Sequence, residues 1–354
     1  MARDKTRLLL AAGGTGGHIW PAIAFGAWIK RHHPECELSY VCGARPMELE
    51  MYSSAGISPL VLPVDGSPLS GRLAVKCGRA KQIFSAYRSA REEISRFRPD
   101  AALLFGGYLS FPLIAACKRS RVRCAMHEQN ARAGKVTRLA AKLGMEIYSG
   151  WRDCLPLSQK KYLYTGVPVR NFTRLSQRDA WQILGFPEEF PGGTIATVLT
   201  GSLGSGSIRD RITELASKKN FSGWTFVVPA VAEEARRVRE NVWLLPKMWD
   251  PSALFAAADV LIVRAGGSTL TEAAVSGIPS LVIPWKGAAD NHQYQNALSF
   301  VSESEGLIWS AEDGDDELES SLLRLGEICA AKKRGDGARS RTICENLWSA
   351  LWSR

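Results

Sequence analysis

Three times along this chain a short β-branched or leucine-rich run passes straight into a glycine loop and then into a segment of helical period. Residues 6–12 run into Gly13-Gly-Thr-Gly-Gly-His18, residues 101–105 into Gly106-Gly-Tyr-Leu-Ser110, and residues 194–200 into Gly201-Ser-Leu-Gly-Ser-Gly206. Buried parallel strands are apolar on both faces, and parallel strands must be joined by a crossover, usually a helix. The repetition therefore restricts the chain to an α/β architecture with parallel sheets.

Further strands are expected at residues 37–41, 59–64, 122–127 and 146–148, and a helix at 21–30 with Pro21 in its first turn. A helix over 71–97 carries Ile83, Phe84, Tyr87, Ile94 and Phe97 on one face. After Tyr164-Thr-Gly-Val-Pro-Val-Arg170 a second strand–helix series begins, with strands at 194–200, 224–228, 242–245, 260–263 and 280–284. We expect two doubly wound domains, 1–166 and 167–336, and a terminal segment 337–354. At 354 residues, 45% apolar, the chain is long enough for two cores.

Composition narrows the function classes. A net charge of +10 favours an anionic partner. No RNA-recognition box, zinc finger or helix-turn-helix accompanies that charge, so nucleic acid is not expected. Eight cysteines occur without a Cys-x-x-Cys pair, which points to reduced structural thiols and no bound zinc. No apolar run approaches spanning length, so neither a transmembrane helix nor a secretory signal is expected.

Glycine loops at the carboxyl ends of strands let backbone N–H groups approach an anion. Taken alone, Gly13 to His18 is either such a loop or a tight turn. It lacks the ending of a P-loop and fits the dinucleotide fingerprint poorly. The stretch Arg264-Ala-Gly-Gly267-Ser268-Thr269-Leu270-Thr271-Glu272 reads as a strand end, a turn and a helix start. Ser268 or Thr269 would cap that helix, its N–H groups would meet a diphosphate, and Glu272 would accept from ribose hydroxyls. The alternative is that Ser268 and Glu272 merely stabilise the helix start. Asp290-Asn-His-Gln293-Tyr-Gln-Asn296 adds a cluster of amides.

These motifs, with His127-Glu-Gln-Asn130 followed by Ala133-Gly134, and Gly166-Val-Pro-Val-Arg170, resemble in order and spacing those of the MurG family. These are the N-acetylglucosaminyltransferases of peptidoglycan synthesis. The resemblance covers nearly the whole chain, and His127 to Asn130 is its most specific part. Three positions depart from the family pattern: Thr200 before Gly201 where two glycines are usual, Phe111 in place of a small residue, and Val167 in place of asparagine.

The resemblance implies a GT-B fold, two Rossmann-like domains facing a deep cleft, with the acceptor in the first and the donor nucleotide in the second. It implies inverting transfer of N-acetylglucosamine from UDP-N-acetylglucosamine to lipid I, giving lipid II, with no cofactor and no metal. Glu272 is expected on the ribose and the backbone of Met248 on the uracil edge. Ser202 and the groups from Gly267 to Thr271 would hold the diphosphate, Arg170 would neutralise the departing UDP, and Gln293 would meet sugar hydroxyls. Asn130, Thr15, Gly16 and Gly17 would reach donor or acceptor from the first domain. The carboxyl-terminal helix, with Ile343, Leu347, Ala350 and Leu351 on one face, would return to the first domain.

Inversion also needs a base, and a histidine titrates in the useful range. His18 is the first candidate, with His127 and Glu128 next. A core histidine is the competing reading for His127, and a helix cap for His18. His32 and His33 read as surface charges at a helix end, and His292 as a nucleotide contact or a solvent-facing ring. A lipid acceptor implies a peripheral position on the anionic cytoplasmic face of the inner membrane, and contact with other cell-wall synthesis proteins. Arg72, Lys76, Arg79, Lys81, Arg88 and Arg91, near Leu73, Ile83, Phe84 and Tyr87, form a docking surface or an ordinary solvated helix face. Two rivals remain at this stage: a transferase of the same fold acting on diacylglycerol or a secondary metabolite, and a non-catalytic UDP-sugar-binding protein.

Overall fold

The computed structural model describes residues 6–66, 73–186, 189–199, 206–229, 232–330 and 338–353, and their side chains except those of 73–80 and 338–341. The chain divides into two compact units, Met1–Arg170 with Ser340–Arg354, and Asn171–Arg339.

In the first unit the elements are β1 (Arg7–Ala11), α1 (Gly16–His32), β2 (Glu37–Cys42), α2 (Pro46–Ser54), β3 (Leu60–Val61), α3 (Leu73–Phe97), β4 (Ala101–Leu104), α4 (Ser110–Ser120), β5 (Arg123–Glu128), α5 (Lys135–Lys142), β6 (Glu146–Ser149) and β7 (Leu163–Tyr164). All pairings are parallel, in the order β3-β2-β1-β4-β5-β6-β7. Ala86, Ala90 and Ile94 of α3 and Leu113 and Ala116 of α4 cover Leu9, Ala11, Ala102 and Leu104 of the central strands. Full burial of a valine, leucine, isoleucine or phenylalanine is worth roughly 1.5–3 kcal/mol. Strands covered on both faces therefore read as unbroken apolar runs.

The second unit holds α6 (Gln177–Ile183), β8 (Thr194–Leu199), α7 (Gly206–Leu215), β9 (Trp224–Val228), β10 (Arg236–Arg239), β11 (Val242–Leu244), α8 (Ser252–Ala257), β12 (Val260–Arg264), α9 (Gly267–Ser276), β13 (Ser280–Ile283), α10 (His292–Glu303), β14 (Gly306–Ile308) and α11 (Gly314–Ala330). Its strand order is β10-β11-β9-β8-β12-β13-β14. One face packs Ile208, Ile212, Leu318 and Leu322 against the sheet, and the other packs Trp181, Leu184, Leu254 and Ala257. Strand β10 is an antiparallel edge strand. Its Arg-Arg-Val-Arg sequence is exposed throughout and carries no apolar signal, which is why residue pattern alone gives no strand there.

Several expectations change. The division falls after Arg170 rather than Gly166. The N–H groups of Thr165 and Gly166 both donate to Ser149 O, and buried Val167 lies where a Cβ on Gly150 would sit, so this run belongs to the first unit. The unusual valine is thus a core residue. Helix α1 begins at Gly16, and Pro21 lies inside it. The proline costs one N–H bond, to Gly17 at i−4, and the helix continues through it. Phe84 is 63% exposed, because α3 turns Ala86, Ala90 and Ile94 to the core.

The last helix, α12 (Ala338–Trp352), lies on the first unit. Leu347 and Leu351 are fully buried, and Ile343 fills the space a side chain on Gly166 would need. Tyr148 donates to Ala350 O at 3.2 Å, and Arg123 to Leu351 O. His33, read from sequence as a surface charge, stacks on Trp348 with ring centroids 4.1 Å apart.

Candidate active site

In an open α/β sheet, ligands bind where the strand order reverses, outside the carboxyl ends of the strands. In the first unit that point lies between β1 and β4, where the first two glycine loops meet. Gly107 has φ +80°, and a Cβ on it would stand 2.4 Å from Gly13 O. Only glycine allows this backbone contact.

Because α1 starts at Gly16, His18 is in its first turn and not in a loop. Thr15 precedes the helix in extended conformation, and its carbonyl accepts from His18 N at 3.1 Å. The imidazole is partly exposed and lies beside Gly106, where a Cβ would be 3.3 Å from Cε1.

The loops are clamped by a residue that sequence reasoning missed. Glu48 of α2 is fully buried, and its carboxylate accepts from Gly14 N and Gly43 N, each at 2.8 Å, and from the Tyr108 hydroxyl at 2.5 Å. Burial, and then the bond to Glu48, hold the Tyr108 hydroxyl well above its ordinary pKa. Arg45 closes the group, donating to Gly14 O at 3.2 Å with its guanidinium 4.9 Å from the Tyr108 ring centroid. Glu48 stands in an unremarkable helix, so nothing local in the sequence marks it.

His18 Nδ1 lies 2.6 Å from Gln129 Oε1. Gln129 Nε2 lies 2.9 Å from His127 Nδ1 and donates to His127 O at 2.7 Å. His127 Nε2 lies 2.9 Å from Gly166 O. The His127 ring is wholly buried and stacks on Phe105, with centroids 5.3 Å apart. Burial pushes its pKa down to about 4, against the smaller opposing effects of the Gly166 bond and the Glu128 charge. The ring is therefore neutral at neutral pH.

Two expected catalytic groups are thus not placed for direct chemistry. His127 has no exposed surface from which to meet a substrate. Glu128 has both oxygens engaged: Oε1 accepts from Asn130 N at 3.0 Å and Asn130 Nδ2 at 2.9 Å, and Oε2 from Gly134 N at 2.9 Å and Thr137 Oγ1 at 2.5 Å. It fixes Asn130 and the start of α5. Arg170, partly exposed, holds its guanidinium 4.3 Å from the Trp20 ring centroid, on the same helix as His18.

In the second unit the order reverses between β8 and β12. Ser202, in the loop after β8, lies outside the described residues. After β12, α9 starts at Gly267 with Gly266 as its N-cap. Neither Ser268 nor Thr269 caps this helix, since both are already in its first turn. The first-turn N–H groups of Gly267, Ser268 and Thr269 have no helical acceptor, which is the geometry of an anion site. Thr271 donates to Gly267 O at 2.9 Å, Leu270 is core, and Glu272 is 3% exposed. Asn296 of α10 donates to Ala265 O at 2.9 Å and ties the amide cluster to this turn. Gln293 Oε1 accepts from Trp285 N at 2.8 Å, and His292 Nδ1 lies 2.8 Å from Ala289 O. The Met248 side chain is partly buried against the cluster around Trp181 and Trp243.

Two doubly wound units, each with a glycine turn and a helix amino terminus at its reversal point, have the architecture of the GT-B fold. Residues 8–149 match the glycosyltransferase family 28 N-terminal domain, and residues 195–328 its C-terminal domain. The chain belongs to glycosyltransferase family 28.

A relative from Desulfotalea psychrophila is 30% identical, over 93% of this chain and 89% of that one. It is named UDP-N-acetylglucosamine–N-acetylmuramyl-(pentapeptide) pyrophosphoryl-undecaprenol N-acetylglucosamine transferase. A relative of the same name from Chlorobaculum tepidum is 28% identical over 96% and 98% of the two chains. Among solved structures, MurG of Acinetobacter baumannii is similar with TM-score 0.66 at 20% identity, over 96% of this chain and 93% of that one. The UDP-GlcNAc 2-epimerase of Neisseria meningitidis is similar with TM-score 0.62 at 15% identity, over 97% and 100%. Such likeness to an epimerase concerns fold, and activity has to be argued from the site.

Proposed function

We propose that this chain transfers N-acetylglucosamine, with inversion, from UDP-N-acetylglucosamine to lipid I, the undecaprenyl-pyrophosphoryl-N-acetylmuramoyl-pentapeptide, giving lipid II. The observation that carries the reading is that Gln129 of the His127 to Asn130 motif, the part of the sequence most specific to this acceptor chemistry, reaches His18 at the reversal point of the first sheet. The names of the Desulfotalea and Chlorobaculum relatives support it.

In this reading His18 takes the proton of the acceptor hydroxyl. The hydroxyl oxygen bonds to the anomeric carbon, and the bond from that carbon to the diphosphate breaks with its electron pair leaving on UDP. The first turn of α9 and the Arg170 cation stabilise the developing charge. Gly267 to Thr271 and Ser202 hold the diphosphate, Glu272 the ribose, the Met248 backbone the uracil, and Gln293 the sugar. Asn130 and the Thr15 to Gly17 turn face donor or acceptor. No metal takes part.

The lipid acceptor places the enzyme peripherally at the cytoplasmic face of the membrane. Among the described residues no helix is long and apolar enough to cross a bilayer. Exposed Phe84, with exposed Lys81, Arg88 and Arg91 on α3, supports an interfacial contact. Arg72, and the side chains of Leu73, Lys76 and Arg79, lie outside the described residues.

The test is incubation of purified protein with labelled UDP-N-acetylglucosamine and a short-chain lipid I analogue, with and without EDTA. Disaccharide lipid should form in both arms. Absence of product where a control enzyme works would refute the reading, and product lost with EDTA and restored by magnesium or manganese would refute its metal-free part.

A further inference from the structure

The hydrogen bonds leading to His18 have a direction, and two backbone carbonyls fix it. A carbonyl only accepts. Gly166 O therefore takes its hydrogen from His127 Nε2, and in the neutral ring Nδ1 is left as an acceptor. Gln129 faces two acceptors at once, His127 O at 2.7 Å and His127 Nδ1 at 2.9 Å. Its amide nitrogen must occupy that side, so Oε1 points at His18. An amide oxygen cannot donate, and at 2.6 Å it requires a hydrogen on His18 Nδ1, whether the ring is neutral or charged. The Gln129 backbone is itself held, since Trp151 Nε1 donates to its carbonyl at 2.9 Å. Among the described residues His18 Nε2 has no hydrogen-bond partner.

We propose that Gln129 is a positioning residue that locks His18 in the Nδ1–H tautomer, so that Nε2 alone receives the proton of the attacking hydroxyl. The proposal rests on the reading of His18 as the base. An imidazole in water exchanges between two tautomers, and only the one with a bare Nε2 can accept a proton there. His127 acts at one remove, by fixing which end of the Gln129 amide faces His18. Because the partner is a neutral amide and not a carboxylate, it sets the tautomer without placing a negative charge on Nδ1. Orientation is thereby separated from charge stabilisation.

The test is a long-range proton–nitrogen correlation spectrum of the full chain with 15N-labelled histidine, assigned by the signals missing from His18→Ala and His127→Phe. The expected result is Nδ1–H for His18 and Nε2–H for His127. Gln129→Met, close in size and without the amide, should shift His18 to a mixture of tautomers. It should lower turnover by about 10²-fold, the low end of the loss when general-base catalysis is removed, with unchanged UDP-N-acetylglucosamine binding. An Nε2–H signal for His18 in the unaltered protein overturns the proposal, even if Gln129→Met does not fold. So does a Gln129→Met protein whose His18 tautomer and turnover are unchanged. Full turnover in His18→Ala, with the expected tautomers in the unaltered protein, overturns the base reading and the catalytic half of the proposal, while the orienting contact stands.

Discussion

Gly14 N and Glu48 Oε1 are joined by a 2.8 Å hydrogen bond across 34 positions of sequence. With Gly43 N and the Tyr108 hydroxyl on the same carboxylate, this bond sets the distance between the loops after β1, β2 and β4. Glu48→Gln keeps the shape but turns an amide N–H₂ toward buried donors. Leaving one of them unsatisfied costs about 1–3 kcal/mol. The urea midpoint should fall accordingly and turnover should drop, while UDP-N-acetylglucosamine still binds. An unchanged midpoint would show that the charge at Glu48 is dispensable.

His18→Ala should lower turnover by about 10²–10⁴-fold, the usual contribution of a general base. Binding of the donor should be little changed by calorimetry. Near-normal turnover at saturating acceptor would make His18 structural.

Glu272→Ala should weaken UDP-N-acetylglucosamine binding, since hydrogen bonds to a charged group contribute roughly 1.5–3 kcal/mol each. Calorimetry measures this directly, and a circular dichroism melt checks that the fold is kept. Unchanged affinity would remove Glu272 from the donor site.

His127 makes a pH-dependent contribution to stability whose sign follows from burial. Its pKa is about 4 when folded, against 6.5 for an unperturbed histidine, so as pH falls the unfolded chain binds the proton first. The stabilisation is present above about pH 6.5 and is lost as pH falls toward 4. Its full size is roughly 3 kcal/mol at 1.36 kcal/mol per unit. Between those pH values the urea midpoint should fall more steeply for the native protein than for His127→Phe. Parallel curves would show that His127 does not titrate on unfolding.

Some local features were not legible in sequence because the backbone was free to choose among them. Gly16 and Gly17 suit a loop as well as a first helical turn, and the proline rule favoured a start near Pro21. The observed start at Gly16 places His18 where Gln129 can reach it. Ser268 and Thr269 suit an N-cap, but the helix starts earlier, directly after the short turn that follows Arg264, and Gly266 takes that place. The charged edge strand β10 has no apolar face to announce it.

By itself the sequence determined the two α/β units, the glycine turns at their strand ends and the family. Those properties are written in local periodicity and in motifs a few residues long. Only the tertiary structure decided the work of each polar side chain in the first-unit site. Glu48 carries no local mark in the sequence, whereas His127 and Glu128 stand in a motif that offers each as a catalyst. Burial and directed hydrogen bonds, between residues 34 to 111 positions apart in the case of Gly14 with Glu48 and His18 with Gln129, turn the first into a clamp. They fix His127 and Glu128 as supports and leave His18 as the partly exposed ring. Such contacts form only when the sheet has brought distant strand ends together.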